Sequence, residues 1–133
     1  MTIEELNNRC KGTFLEHLGI SFISFRDGVM TAELVIDDRH LLPQGYVHGG
    51  VYLSMAESVA GAGSLLMVHE EGKTALGSTV NSQHIAAARE GKLFCTGRLI
   101  HKAIYKHIWD MEIKDDSGKL ISINRVSNSI KEI

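Results

Sequence analysis

The chain predicts an α+β fold in which a curved antiparallel sheet is wrapped around one long central helix. Three observations carry that expectation. The stretch from Val51 to about Val68, VYLSMAESVAGAGSLLMV, is apolar on nearly every side and rich in Ala and Gly, as befits a helix enclosed by protein. Two strand-like runs precede it and four follow, each closed by turn-forming residues. With one helix of that length, the strands must supply its cover. At 133 residues the chain is read as one domain, 1–133, able to bury a core yet small enough to gain from oligomerisation.

From Thr2 to Leu18, residues Ile3, Leu6, Phe14, Leu15 and Leu18 fall at roughly helical spacing, and Thr2 followed by Glu4 and Glu5 supplies a capped start. Gly12 breaks this run into two short helices. Ile20 to Phe25, the turn Arg26-Asp27-Gly28, and Val29 to Ile36 read as a hairpin, because Asp-Gly supplies the positive φ a tight turn needs. Asp37 to Val47 holds the only proline, Pro43, and Gly45, so it reads as a loop that ends where His48-Gly49-Gly50 opens the long helix. Gly61 and Gly63 would each cost about 1 kcal/mol relative to Ala inside that helix, so close packing of neighbouring backbone must compensate.

After the charged turn His69 to Lys73, four strands are expected: Ala75 to Ala86, Lys92 to Lys102, Ile104 to Lys114, and Lys119 to Ile130. Arg89-Glu90-Gly91, a break near Ala103, and Asp115 to Gly118 separate them, and together they read as a second meander.

Composition narrows the function classes. Hydrophobic residues are 44% and charged residues 23%, the mix of a globular protein and not of a disordered tail. The formal charge is -2 with Lys and Arg scattered, so no basic surface for nucleic acid is expected. Cys10 and Cys95 form no CxxC pair or disulfide framework, which fits a reducing, cytoplasmic setting. The start, MTIEELNNRCKGTF, lacks the basic and apolar parts of a secretory signal, and Leu41 to Val68 is interrupted by His48, Glu57 and glycines, so no membrane span is expected. The seven histidines show no HxH or HExxH spacing, and no metal site is expected; GxGxxG, Walker and GxSxG patterns are absent too.

Glu57 is the only carboxylate between Asp38 and Glu70, and its neighbours one turn away are Leu53, Ala60 and Gly61. Either it faces a functional cleft, since burying an unpaired carboxylate is costly, or it lies on a thin solvated stripe with Ser54 and Ser58. Two glycines after His48, at a helix start, leave backbone N–H groups that a ligand oxygen can approach, and the helix macrodipole favours negative charge there. A plain loop-to-helix turn is the alternative. Glu57 follows His48 by nine residues, an offset of about 13 Å along a helix. The two would therefore converge only if Glu57 faced His48 and Gly49 of a second subunit.

Gly45-Tyr46-Val47-His48-Gly49-Gly50 followed by Ala56-Glu57-Ser58 resembles the G-x-x-H-G-G-x6-[DE] signature of hotdog-fold thioesterases of the phenylacetate-pathway, hydroxybenzoyl-CoA and dihydroxynaphthoyl-CoA type. Asn81 to Gly91 and Trp109 to Leu120 resemble the same group, so the likeness spans almost the whole chain. It implies hydrolysis of an acyl-CoA thioester with an aryl or medium-chain acyl group, by homodimers joined sheet edge to sheet edge with shared sites, often paired into homotetramers. It also implies no cofactor beyond the coenzyme A of the substrate. By position, Glu57 becomes nucleophile or general base, the Gly49 N–H polarises the carbonyl, and His48 holds the thioester end; Gly50 lies beside them.

Two positions depart from the pattern: Leu42 stands where a substrate-orienting Gln or Asn is usual, with Gln44 two residues out of register, and Gly61 replaces a water-placing Ser or Thr. Ser58 and Ser64 are the nearby hydroxyls. Arg89, His101, Lys102 and Lys106 are candidate partners of the CoA phosphates or else solvated strand charges; His84 is a candidate lining of the pantetheine tunnel or else a structural histidine. Met55, Tyr46, Leu42 and the Phe residues are the expected acyl-pocket walls. Two rivals stand beside this reading: a hydratase on the same fold, whose longer-spaced motif is absent, and a module that binds acyl-CoA without cleaving it.

Overall fold

The computed structural model describes residues 1–133. Its helices are α1 (Ile3–Arg9), α2 (Phe14–Leu18) and α3 (Gly49–Val68); its strands are β1 (Ile20–Arg26), β2 (Val29–Val35), β3 (Lys73–His84), β4 (Lys92–Lys102), β5 (Lys106–Asp115) and β6 (Leu120–Glu132). They form one antiparallel sheet in the order β1-β2-β4-β5-β6-β3, with α3 packed along its inner face. This is the helix-in-sheet arrangement the sequence predicts.

Local chemistry sets the element ends. Thr2 and Glu5 exchange side-chain-to-backbone bonds of 2.9 and 3.0 Å at the start of α1, a capping box. Between β1 and β2, Asp27 and Gly28 adopt φ of 52° and 73°, which turns the chain in two residues and matches the strand twist. The loop before α3 contains a short 3-10 turn, Asp38–His40, which the sequence does not announce.

The second meander needs correction. β4, β5 and β6 follow one another as expected, but β3 pairs with β6 at the far edge, and β4 pairs with β2. The reason lies in α3: it crosses the concave face after β2 and delivers the chain to the opposite edge, so β3 is laid down there before the chain returns beside β2. β3 therefore has one paired edge and one free edge.

Burial of Val51, Tyr52, Met55, Ala56, Val59 and Ala60 seats α3 against the sheet. A Cβ at Gly63 would collide with the buried Trp109 indole, so what compensates this helical glycine is an aromatic ring and not neighbouring backbone. Next to it, Ser64 is the hub of a buried polar group. Trp109 Nε1 and Asn128 Nδ2 donate to its Oγ at 2.9 and 3.0 Å. Both partners are donors only, so the serine proton goes to His107 Nδ1, 2.8 Å away. Although Gly49–Glu71 has the mean hydropathy of a bilayer-crossing helix, α3 is seated in the sheet. Enclosure is incomplete, however: Leu53 is 38% exposed and Glu57 is exposed, because the chain covers only the sheet-facing side of α3.

Candidate active site

The start of α3 is built by two histidines. His40 is buried; its Nδ1 accepts from the Asp37 amide at 3.0 Å and its Nε2 donates to the Leu18 carbonyl at 2.6 Å, which pins the loop. The His40 carbonyl then accepts the His48 amide at 2.9 Å. His48 caps the helix with its own ring: Nδ1 accepts the Gly50 N–H at 2.7 Å. Of the two glycine amides expected to be open, Gly50's is thus occupied by its neighbour. Gly49's N–H has no acceptor within the chain.

Leu42 and Gln44 lie in the preceding loop, where Leu42 is tied to Tyr46 and Gly45 by backbone bonds of 2.7 and 2.9 Å and Gln44 is exposed. Arg89 stacks on the Tyr46 ring, 4.1 Å from its centroid. His84, at the end of β3, leans over Gly49: a Cβ built there would lie 2.9 Å from its Cδ2 and 3.0 Å from its Nε2. Its Nδ1 meets Ser122 Oγ at 2.9 Å, and Tyr52 stacks obliquely at 5.1 Å. Burial lowers its pKa, which favours the neutral ring.

Glu57 lies on the uncovered side of α3, its carboxyl and Cγ resting on Gly77, where a Cβ would come within 2.8 Å of them. β3 carries a bulge between Gly77 and Thr79, so the strand yields a bare backbone at the point where the carboxylate needs room. No cation within the chain pairs with Glu57. The carboxylate lines a groove of about 370 Å³ whose floor on α3 includes Ser58, Gly61 and Leu65 and whose opposite wall includes Leu6, Cys10 and Leu15.

That wall was not foreseen, since the spacing of Leu6 and Leu15 indicates helices but not what they cover. Met55, by contrast, is fully buried in the core and lines no groove, because its position along α3 turns it into the sheet. A Cβ at Gly61 meets nothing within 4 Å, so its place in the groove is open space. Neither neighbouring serine fills the same role: Ser58 Oγ donates to Ser54 O at 2.7 Å, and Ser64 is committed to the buried hub.

The cationic candidates divide into two groups. Arg89 lies with Tyr46 near the beginning of α3. At the other end Lys102 and His107 line a second cavity of about 300 Å³ beside Lys73 and Glu71, with His101 and Lys106 exposed nearby on the β4–β5 hairpin. No three His, Cys, Asp or Glu side chains converge as a metal site would require. Gly49 and Glu57, eight residues apart on one helix, are separated by about 12 Å of rise. One chain does not bring its own amide donor and carboxylate together.

Residues 44–122 match the profile of the thioesterase superfamily. The chain belongs to that superfamily. This hotdog-fold thioesterase is similar to the 1,4-dihydroxy-2-naphthoyl-CoA hydrolase of Escherichia coli K12, with 30% identity over 98% of this chain and 95% of that one. A mutant thioesterase from Pseudomonas aeruginosa has the same fold, with a TM-score of 0.95 at 32% identity over 100% of this chain and 96% of that one. A thioesterase from Haemophilus influenzae matches with a TM-score of 0.94 at 30% identity over 99% and 92%.

Proposed function

We propose that this thioesterase hydrolyses acyl-CoA thioesters carrying an aryl or medium-chain acyl group, in sites shared by two copies of the chain, and releases the free acid and CoA. The observation that carries the reading is the division of labour along β3. Its His84 end lies against Gly49, whose amide is open, and its Gly77 end lies against Glu57, while its outer edge is unpaired. Two copies joined antiparallel along that edge set Gly77 of one opposite His84 of the other when the twofold axis falls near Val80 and Asn81. Glu57 of the partner subunit then faces Gly49. The same pairing covers the exposed Leu53 stripe. Two such dimers form the homotetramer that the family resemblance implies.

In this site the Gly49 N–H donates to the thioester carbonyl oxygen, and the positive end of α3 stabilises the charge that develops there. Glu57 either attacks the carbonyl carbon, giving an anhydride that water then opens, or removes a proton from the attacking water. In both routes the C–S bond breaks, sulfur leaves as the CoA thiolate, and His48 stands at the thioester end. The reaction calls for no cofactor. Lys102, with His101 and Lys106 beside it, and Arg89 at the other end of the helix are the cations suited to the CoA phosphates.

A thiol-release assay over a panel of aryl- and alkanoyl-CoAs tests this. The wild type releases CoA, while Glu57→Ala retains acyl-CoA binding with turnover reduced by a factor of about 100 or more. Binding without release by the wild type would instead make the chain an acyl-CoA carrier.

A further inference from the structure

We infer that His84, held by the buried hydroxyl of Ser122, is a second donor to the thioester oxygen beside the Gly49 amide, supplying the polar contact that Leu42 does not. The inference rests on Gly49 acting as the first donor. The distances allow both groups to serve one oxygen. His84 Nε2 lies 3.0 Å from the Cβ position of Gly49. A tetrahedral Cα separates that position from the backbone nitrogen by about 2.5 Å, so the two nitrogens stand no more than about 5.5 Å apart. Donors sharing an oxygen at about 2.9 Å each are separated by at most about 5.8 Å.

The protonation pattern turns on Ser122. Its Oγ is fully buried and lies 2.9 Å from His84 Nδ1, against 3.4 Å from both Gln83 O and Asn124 Oδ1. With the serine proton on the shortest of these contacts, Nδ1 accepts and the neutral ring's hydrogen sits on Nε2, toward Gly49. The opposite arrangement, Nδ1–H donating to Oγ with the hydroxyl turned to Gln83 O, leaves Nε2 bare, and the inference requires the first. Asn124 supports the assignment. Its Nδ2 is buried with no acceptor, and turning the amide over lets it donate to Ser122 Oγ. A carbonyl left without a partner costs less than a donor left without one. Tyr52 against the ring restricts its rotation. Ser122 itself, on the inner face of β6, touches no substrate and is a positioning residue.

Nitrogen-15 NMR of the imidazoles in the full-length wild type is expected to show His84 as the Nε2–H tautomer; an Nδ1–H tautomer overturns the inference. In the thiol-release assay, His84→Ala is expected to lower kcat about 100-fold with little change in KM, as loss of an oxyanion donor does. Ser122→Ala should lower kcat about tenfold, the scale for removing a partner that orients an imidazole, and Ser122→Thr should restore it. Wild-type kcat in His84→Ala, with Glu57→Ala inactive, overturns the second donor alone. Full activity in Glu57→Ala brings down the underlying site assignment instead.

Discussion

Glu57 owes its position to Gly77 as much as to its own helix. Because the carboxyl rests where a Cβ at 77 would be, Gly77→Ala is expected to displace the flexible end of Glu57 and leave the strand intact. We predict a fall in kcat of at least tenfold in order of magnitude, about 1.4 kcal/mol in barrier, with unfolding free energy changed by no more than about 0.5 kcal/mol. Steady-state kinetics and urea denaturation of the same preparation check both. Gly49 and Glu57 were legible in the sequence because each belongs to one local run, where an isolated carboxylate and a bare helix start are visible without tertiary information. Gly77, Ser122 and Cys10 were not, since each reaches the site from another element. The Gly50 amide was misread for a smaller-scale reason: the His48 rotamer that caps it is a side-chain choice that residue types do not fix.

At the scale of elements, α3 is fitted to the sheet by one small residue and one polar hub. Gly63→Ala should push Cβ into the Trp109 indole, an overpacking that costs about 1 to 3 kcal/mol and lowers the urea midpoint without changing the slope. The hub adds a pH dependence. Burial, reinforced by the charge of Lys102, lowers the His107 pKa below its ordinary 6.5, with Glu71 opposing. The unfolded chain therefore takes up the proton first as pH falls, so this contribution to stability is complete above pH 6.5 and is lost progressively below it, toward the folded-state value. His107→Asn keeps an acceptor for Ser64 but cannot titrate, and its melting temperature should fall less than the wild type's between pH 7 and pH 5, a range about the ordinary histidine pKa. Strands and turns were readable from alternation and from Asp-Gly or Gly-containing breaks. Strand neighbours were not, because period-two patterning says which face a residue takes but not which strand lies beside it, and α3 carries β3 to the far edge.

Across the whole molecule, the apolar character of α3 exceeds what one sheet covers. The sequence shows the surplus, while the structure locates it in the Leu53–Glu57 face beside the free edge of β3. The proposed dimer would cover that face and complete the site, so the active particle is expected to sediment at twice the 14.7 kDa chain mass or a multiple of it. Subunit complementation tests the shared site most directly. Glu57→Ala lacks the carboxylate; Gly49→Pro lacks the amide N–H at the first helical position, where the fixed φ of proline fits, and its Cβ pushes aside the His84 ring of the same half-site. Each variant alone should be inactive. Mixed, denatured and refolded together in equal amounts, they should regain about one quarter of wild-type activity, because half the dimers are hybrids and each hybrid holds one intact site. No recovery from a mixture shown to contain hybrid dimers would place both groups in a single chain's site and contradict the account.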